Sequence, residues 1–256
     1  MNVDKLAFDL PGGAHALFTT RAHGNLSSVG GEGAEYGLQA RERLREQLGV
    51  RCLFRGYQVH GTTVQRVWAD AQGAEVGEGV QTSMETGAQP DTGISTDSDA
   101  QPEIEADGQA TVLRGIGAMV LTADCLPVAL GSSGAVAMVH AGWRGLAAGV
   151  LEEGVRAVRE LGGAGEIVAI IGPGAGPCCY EVGDEVHAAF GEKTRRTDSP
   201  LARNIDLKAI ARDRLLATGM SEVKDVAMCT ICDERFFSYR REGARAGRQG
   251  GVAWLS

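Results

Sequence analysis

The spacing of apolar positions divides the chain into short segments. Ala16-Leu17-Phe18-Thr19-Thr20 reads as a strand, and residues 40–48 read as a helix with Leu44 and Leu48 four apart on one face. Residues 53–59 and 62–68 look like strands meeting at a His60-Gly61 bend. Two apolar runs bounded by glycines, 118–122 and 135–139, suit buried strands, with Gly131-Ser132-Ser133-Gly134 as the turn of a hairpin. Leu146, Val150, Val155, Val158 and Leu161 keep helical spacing up to Gly162-Gly163. A strand over 166–171, a Gly/Pro-rich loop to Cys179, helices over 182–190 and 206–218, and strands over 223–228 and 251–255 complete the order.

Mixed strands and helices without an internal repeat predict an α+β fold, a single domain over 1–256 with mixed β-sheets flanked by helices. Cys125 and His140 each fall just beyond a strand, where loops present reactive groups from a rigid frame. A hairpin joining the two strands would point these ends in opposite directions. Their meeting therefore demands curvature or a non-adjacent pairing.

At 256 residues and 43% apolar, the chain can bury a large core. Its net charge of -8 is uneven: residues 67–113 hold ten acids and no Lys or Arg, so the remainder is net positive by two. This stretch has no aromatic after Trp68, and 70–105 reads as a long acidic loop insertion, either a solvated excursion or a lid. An acidic chain without a basic, aromatic-interleaved patch argues against nucleic acid. No membrane segment or signal peptide is evident, and six cysteines in a chain this long suit reduced thiols, so a cytoplasmic location is expected.

Gln58-Val59-His60-Gly61, Thr122-Ala123-Asp124-Cys125-Leu126-Pro127 and His140-Ala141-Gly142-Trp143-Arg144-Gly145 offer two imidazoles and a thiol. Such a set can hold zinc in three positions and leave a fourth for water or substrate. Copper is also served by imidazole and thiolate. Spacing alone leaves ordinary histidines and a buried cysteine open, as it does a metal-free Cys125 nucleophile with His140 as base and Asp124 or Asp107 orienting it. Cys229-Thr230-Ile231-Cys232 is half a metal or redox motif, for which Cys178-Cys179 looks a poor complement. His15, His23 and His187 read as solvent-facing.

Those three motifs occur in order with Phe18-Thr19-Thr20-Arg21, Ile171-Gly172-Pro173, Cys178-Cys179-Tyr180-Glu181-Val182 and Phe236-Phe237-Ser238-Tyr239-Arg240-Arg241. The set resembles the YfiH-like family, labelled laccase-domain or polyphenol oxidase proteins and, more recently, purine nucleoside phosphorylases. The resemblance spans nearly the whole chain apart from the acidic segment. It implies a YfiH-like layered sandwich, a zinc site of His60, Cys125 and His140, and phosphorolysis of adenosine, inosine, guanosine or methylthioadenosine, with adenosine deamination as a related activity. Its partners would be a nucleoside and phosphate. Asp107 becomes a further catalytic candidate, and Arg21, Arg144 and Arg248 candidate substrate anchors, because guanidinium grips phosphate at two points. The segment Ala22-His23-Gly24-Asn25-Leu26-Ser27-Ser28 and the shortened stretch up to Leu44 depart from the family pattern, whereas Ala246-Gly247-Arg248-Gln249-Gly250 keeps the Gly-Arg pair; these loops bear on substrate choice. Relatives editing amino-acid errors in UDP-MurNAc peptidoglycan precursors make a hydrolase the rival enzyme. The older family label would make the chain a copper-dependent polyphenol oxidase, and the ligand set alone would also suit a non-enzymatic metal-binding module.

Overall fold

The central strands are buried on both faces, so successive side chains of one strand pack against two different layers. The computed structural model describes residues 6–70, 73–77, 104–191, 203–220 and 222–256. In chain order its elements are β1 (Ala7–Leu10), β2 (Ala14–Phe18), α1 (Gly37–Leu48), β3 (Cys52–Phe54), β4 (Val64–Asp70), β5 (Gly73–Gly77), β6 (Gly108–Thr111), β7 (Ile116–Thr122), β8 (Leu126–Ser133) and β9 (Ala135–Ala141). Then follow α2 (Trp143–Ala148), α3 (Val150–Glu160), β10 (Ala164–Ile171), α4 (Asp184–Phe190), α5 (Leu207–Ala217), β11 (Glu222–Asp225), α6 (Tyr239–Glu242) and β12 (Gln249–Leu255).

The strands form two mixed sheets, ordered β1-β2-β12-β7-β3 and β11-β10-β8-β9-β6-β4-β5. Ala16, Phe18, Ala118, Val120 and Ala253 of the first sheet meet Ala129, Val136, Met138 and Ile170 of the second in one buried layer. The intervening residues face outward: Leu17, Met119 and Val252 pack under Ala40 and Leu44 of α1, while Val128, Leu130, Ala137 and Val139 pack under Leu151, Val155 and Val158 of α3 and Leu215 of α5. Period-two patterning thus builds helix, sheet, sheet and helix layers from one chain. This is the expected α+β architecture.

Several boundaries differ from expectation. The segment between 122 and 135 is a strand of its own, β8, which pairs with β9 (Leu126↔Ala141, Pro127↔His140), whereas β7 belongs to the other sheet. The hairpin is β8–β9, so the start of β8 and the end of β9 lie at one edge, and the apparent conflict over Cys125 and His140 disappears. The 146–161 helix is two helices, because Gly149 adopts φ 102° and returns its amide to Gly145 O, closing α2 before α3 begins. Residues 53–59 keep strand pairing only to Phe54, after which a single bridge joins Tyr57 to Glu105. Within the acidic segment, residues 73–77 form an edge strand on β4, and 78–103 lie outside the described residues.

Candidate metal centre

The side chains of His60, Cys125 and His140 come together at the start of β8 and the end of β9, their donor atoms within 4.8 Å of one another. His140 ends β9, Cys125 precedes β8 across that hairpin, and His60 is delivered by the loop ahead of β4. His60 Nε2 stands 3.8 Å from Cys125 Sγ, and the two imidazole centroids are 4.9 Å apart. His140 is buried, Cys125 half-buried and His60 exposed, so the group opens to solvent on one side.

Asp107, fully buried just before β6, organises the cluster. Its Oδ1 accepts from His60 N (2.9 Å) and His140 Nδ1 (2.7 Å), and its Oδ2 from Val59 N (3.2 Å) and Gly61 N (2.6 Å). One carboxylate therefore shapes the 59–61 bend and fixes the His140 tautomer, leaving Nε2 to face the cluster. Carboxylate support of this kind accompanies most metal-binding histidines. Burial alone would push the Asp107 carboxyl up, but the His140 hydrogen bond and charge, then the Gly61 and Val59 amides, bring it below the usual carboxylate range.

Backbone constraint is concentrated here. His60 (φ 62°) and Asp124 (φ 88°) are left-handed, a region that costs non-glycine residues energy and persists where neighbours enforce it. Gln58 enforces the first: its amide donates to Leu121 O (2.7 Å) and accepts from Leu121 N (2.8 Å), a strand-like clamp onto β7. Asp124 is held by Thr230 Oγ1 (2.7 Å), Ser238 Oγ (3.0 Å) and Arg240 N (2.7 Å). It therefore turns away from His140, so Asp107, not Asp124, is the carboxylate that orients the imidazole. Gly142 is the other tight point, since a Cβ there would stand 2.7 Å from His60 Cδ2 and 3.2 Å from Cys125 Sγ.

Electrostatics couple the thiol to the imidazole. Burial would push the Cys125 thiol up, yet the charge and hydrogen bond of His140, then His60, draw it down to about 6. Burial would lower His140, yet Cys125 and Asp107 raise it to about 9. A thiolate–imidazolium pair is thus favoured without metal, and deprotonated sulfur and neutral Nε2 become available as ligands when a cation displaces the proton.

The whole group lies within a segment, residues 14–256, that matches the family described as multi-copper polyphenol oxidoreductase laccase. A purine nucleoside phosphorylase of Xylella fastidiosa (strain Temecula1) is 36% identical over 259 residues, covering 96% of this chain and 89% of its own. Another from Xylella fastidiosa (strain 9a5c) is 37% identical over 257 residues, covering 96% and 88%. The chain belongs to the YfiH-like laccase-domain family. Its fold matches the crystal structure of the Neisseria meningitidis DUF152 protein NMB0706 with a TM-score of 0.75 at 28% identity, covering 98% of each chain. It matches YlmD from Geobacillus stearothermophilus at 0.74 and 28%, covering 95% and 92%.

The arginines singled out by the family resemblance differ in circumstance. Arg21 pairs with Glu242, donates to Phe236 O (3.0 Å) and lies 4.4 Å from the Phe237 ring centroid. Arg248 is folded onto its own neighbours, Ala246 O (2.6 Å) and Gly247 O (2.9 Å). Arg144 is exposed, 4.2 Å from the Trp143 ring centroid. Sequence reasoning missed Arg55, half-buried ahead of Gln58. Among the described residues it makes no hydrogen bond or ion pair, and burial with nearby Arg41 lowers its guanidinium to about 10. No periodicity marks such a residue; only its environment does.

The remaining histidines are committed elsewhere. His15 Nδ1 meets Asp9 Oδ1 (2.9 Å) beside Trp254, and His23 Nδ1 accepts from Thr20 N (3.1 Å). His187, expected at the surface, is buried with Nε2 3.2 Å from Arg203 O, because α4 turns that face inward along with Val186. No helix among the described residues is long and apolar enough to cross a membrane.

Proposed function

We propose that the chain is a zinc-dependent purine nucleoside phosphorylase, converting adenosine, inosine, guanosine or methylthioadenosine and phosphate into free base and ribose 1-phosphate. The observation that carries the reading is the convergence of His60, Cys125 and His140 under Asp107, in a chain whose near full-length relatives bear the phosphorylase name. Two imidazoles and a thiolate suit zinc, and among the described residues no fourth His, Cys or carboxylate joins them, as in catalytic sites that keep a position open. Zinc would supply Lewis-acid polarisation of a substrate oxygen and a more acidic water, the latter being what adenosine deamination requires.

The chain's own residues supply position and charge. Asp107 holds His140 in the tautomer that presents Nε2, and Gln58 holds the His60 loop against β7. Gly142 leaves the space beside His60 and Cys125 that a side chain would fill. Tyr57 and Val59, about half exposed on the same loop, give an apolar rim on which a purine can rest. Phosphate needs cationic donors without a carboxylate already seated on them. Arg144 and Arg55 meet that condition among the described residues, and Arg21 would have to exchange Glu242 for substrate. Arg248 would have to release its carbonyls.

Multi-copper oxidation is less well supported. Of five histidines, three are engaged with Asp9, Thr20 and Arg203, leaving too few imidazoles for several coppers. The test is turnover by zinc-loaded protein with and without phosphate, read as free base and ribose 1-phosphate. Phosphate-dependent base release, lost in His60→Ala and Cys125→Ser variants that remain folded, is the expected result. Zinc-bound protein inert toward nucleosides but cleaving an amide in UDP-MurNAc peptides would overturn it in favour of the editing hydrolase. Activity that survives chelation and falls to thiol alkylation would point to Cys125 as a nucleophile oriented through His140 and Asp107.

A further inference from the structure

β10 and β11 run parallel and in register from Val168↔Glu222 to Ile171↔Asp225, so the loops leaving both strands start side by side. The loops stay paired beyond the strands: Gly174 N donates to Met228 O (3.3 Å) and Thr230 N to Gly174 O (3.0 Å). One loop carries Cys178 and Cys179, the other Cys229 and Cys232. All four sulfurs lie within 4.8 Å of one another. Cys232 Sγ is 3.2 Å from Cys178 Sγ and 3.1 Å from Cys179 Sγ, well beyond a disulfide bond of about 2.05 Å.

We propose that Cys178, Cys179, Cys229 and Cys232 form a second metal centre, a closed four-thiolate site for zinc, separate from the His60, Cys125 and His140 group. Four sulfurs on a tetrahedron with zinc–sulfur bonds of about 2.3 Å would stand about 3.8 Å apart, so the two Cys232 contacts, at 3.2 and 3.1 Å, would lengthen by about 0.6–0.7 Å. A second feature of the loops points the same way. Gly176 N, on the loop that carries Cys178 and Cys179, donates to Cys229 Sγ (3.2 Å), so the backbone of one loop grips a sulfur of the other. Binding zinc would release the thiol protons to solvent and leave two net negative charges. Arg241, which donates to Thr230 O and Ile231 O at 2.8 Å, sits beside the loop and pairs with Glu242.

The centre has a consequence for the other site. Asp124, next to Cys125, is held from both clamped loops: its carbonyl accepts from Ala175 N (2.8 Å) and its carboxylate from Thr230 Oγ1 (2.7 Å). A zinc that locks the loops together also fixes the residue that aims Cys125. The four-thiolate centre stands independently of what the chain turns over.

The test begins with His60→Ala/Cys125→Ser, which removes the first centre. Produced with zinc under reducing conditions, this full-length variant should retain one zinc per chain. With cobalt in place of zinc it should show thiolate charge-transfer bands and the strong visible bands of a tetrahedral four-sulfur site. Adding Cys229→Ser/Cys232→Ser should remove both signals. A folded double variant devoid of zinc would overturn the proposal, as would a disulfide among the four cysteines that persists when zinc is offered. Should the quadruple variant fail to fold, mercurial titration of the double variant decides: zinc release in step with four modified thiols supports the centre, and release out of step with thiol modification refutes it. In the otherwise native chain, Cys229→Ser/Cys232→Ser should surrender zinc from the first centre to a chelator several-fold faster, and equal rates would refute the link through Asp124.

Discussion

Replacing Asp107 with Asn removes one acceptor oxygen from a carboxylate that serves four donors. If the new amide NH2 faces Val59 N and Gly61 N, two charge-assisted bonds are lost, at about 1.5–3 kcal/mol each. If it faces His60 N and His140, the imidazole can shed its Nδ1 proton, keep the one on Nε2 and accept through Nδ1, so that only the His60 amide is orphaned, about 1.5–3 kcal/mol. The second arrangement costs less and so prevails, but it fixes the neutral tautomer whose proton sits on the nitrogen that must bind metal. The metal-free Asp107→Asn protein should therefore melt roughly 3–12 °C lower, at about 2–4 °C per kcal/mol for a chain of this size. Its zinc affinity should fall by about 10–100-fold or more. Thermal denaturation and competition with a chromophoric chelator measure the two effects, and nitrogen NMR of His140 reads the tautomer. Zinc affinity within about threefold of wild type, with the His140 proton still on Nδ1, would refute the reasoning.

Gly142→Ala places a methyl against His60 Cδ2 and Cys125 Sγ; overpacking of about 1–3 kcal/mol should displace His60, so zinc content falls while circular dichroism is unchanged. In metal-free protein, the Cys125 thiolate held by His140 should make alkylation of the Cys125 peptide, followed by mass spectrometry, half-maximal near pH 6, and a midpoint near 9 would contradict the pairing. Because deprotonation is the reactive direction, the rate should rise with pH through that midpoint and then level off. Arg55→Met should raise KM for phosphate with little change in KM for nucleoside; an unchanged phosphate KM would remove Arg55 from the site. Arg66 joins Val64 O to Glu153 and Glu160 across the β4–α3 contact, and Arg66→Ala should cost about 2 kcal/mol in urea unfolding, moderated because Glu160 is half exposed.

The metal-site candidates were legible because each motif carries its chemistry within a few residues, and the helices because α3 and α5 show their apolar stripes. What escaped was decided by pairing across the fold. β6 reads Gly-Gln-Ala-Thr, yet all four residues are buried between β4 and β9, so the centre of the sheet has no alternation to betray it. β8 was hidden by Pro127, a residue that normally interrupts strands. It is tolerated at the second position of the strand, where Pro127 keeps its carbonyl bond from Gly172 N (2.8 Å) and only the return bond is absent. Likewise, Cys178-Cys179 looked a poor complement to Cys229 and Cys232 only because parallel pairing of β10 with β11 is invisible across fifty residues of sequence.

The ligands of the first centre are anchored to different slabs of the sandwich. His140 belongs to β9, His60 is tied through Gln58 to β7 of the opposite sheet, and Cys125 sits on the link between them. Any slip of one slab over the other changes the ligand triangle, and such sites tolerate only about 0.5 Å of misplacement. The bound ion then works as a gauge of the interior. A cavity made at Phe18, far in sequence from His60, Cys125 and His140 and buried between the slabs, should register as faster metal exchange before it registers as unfolding.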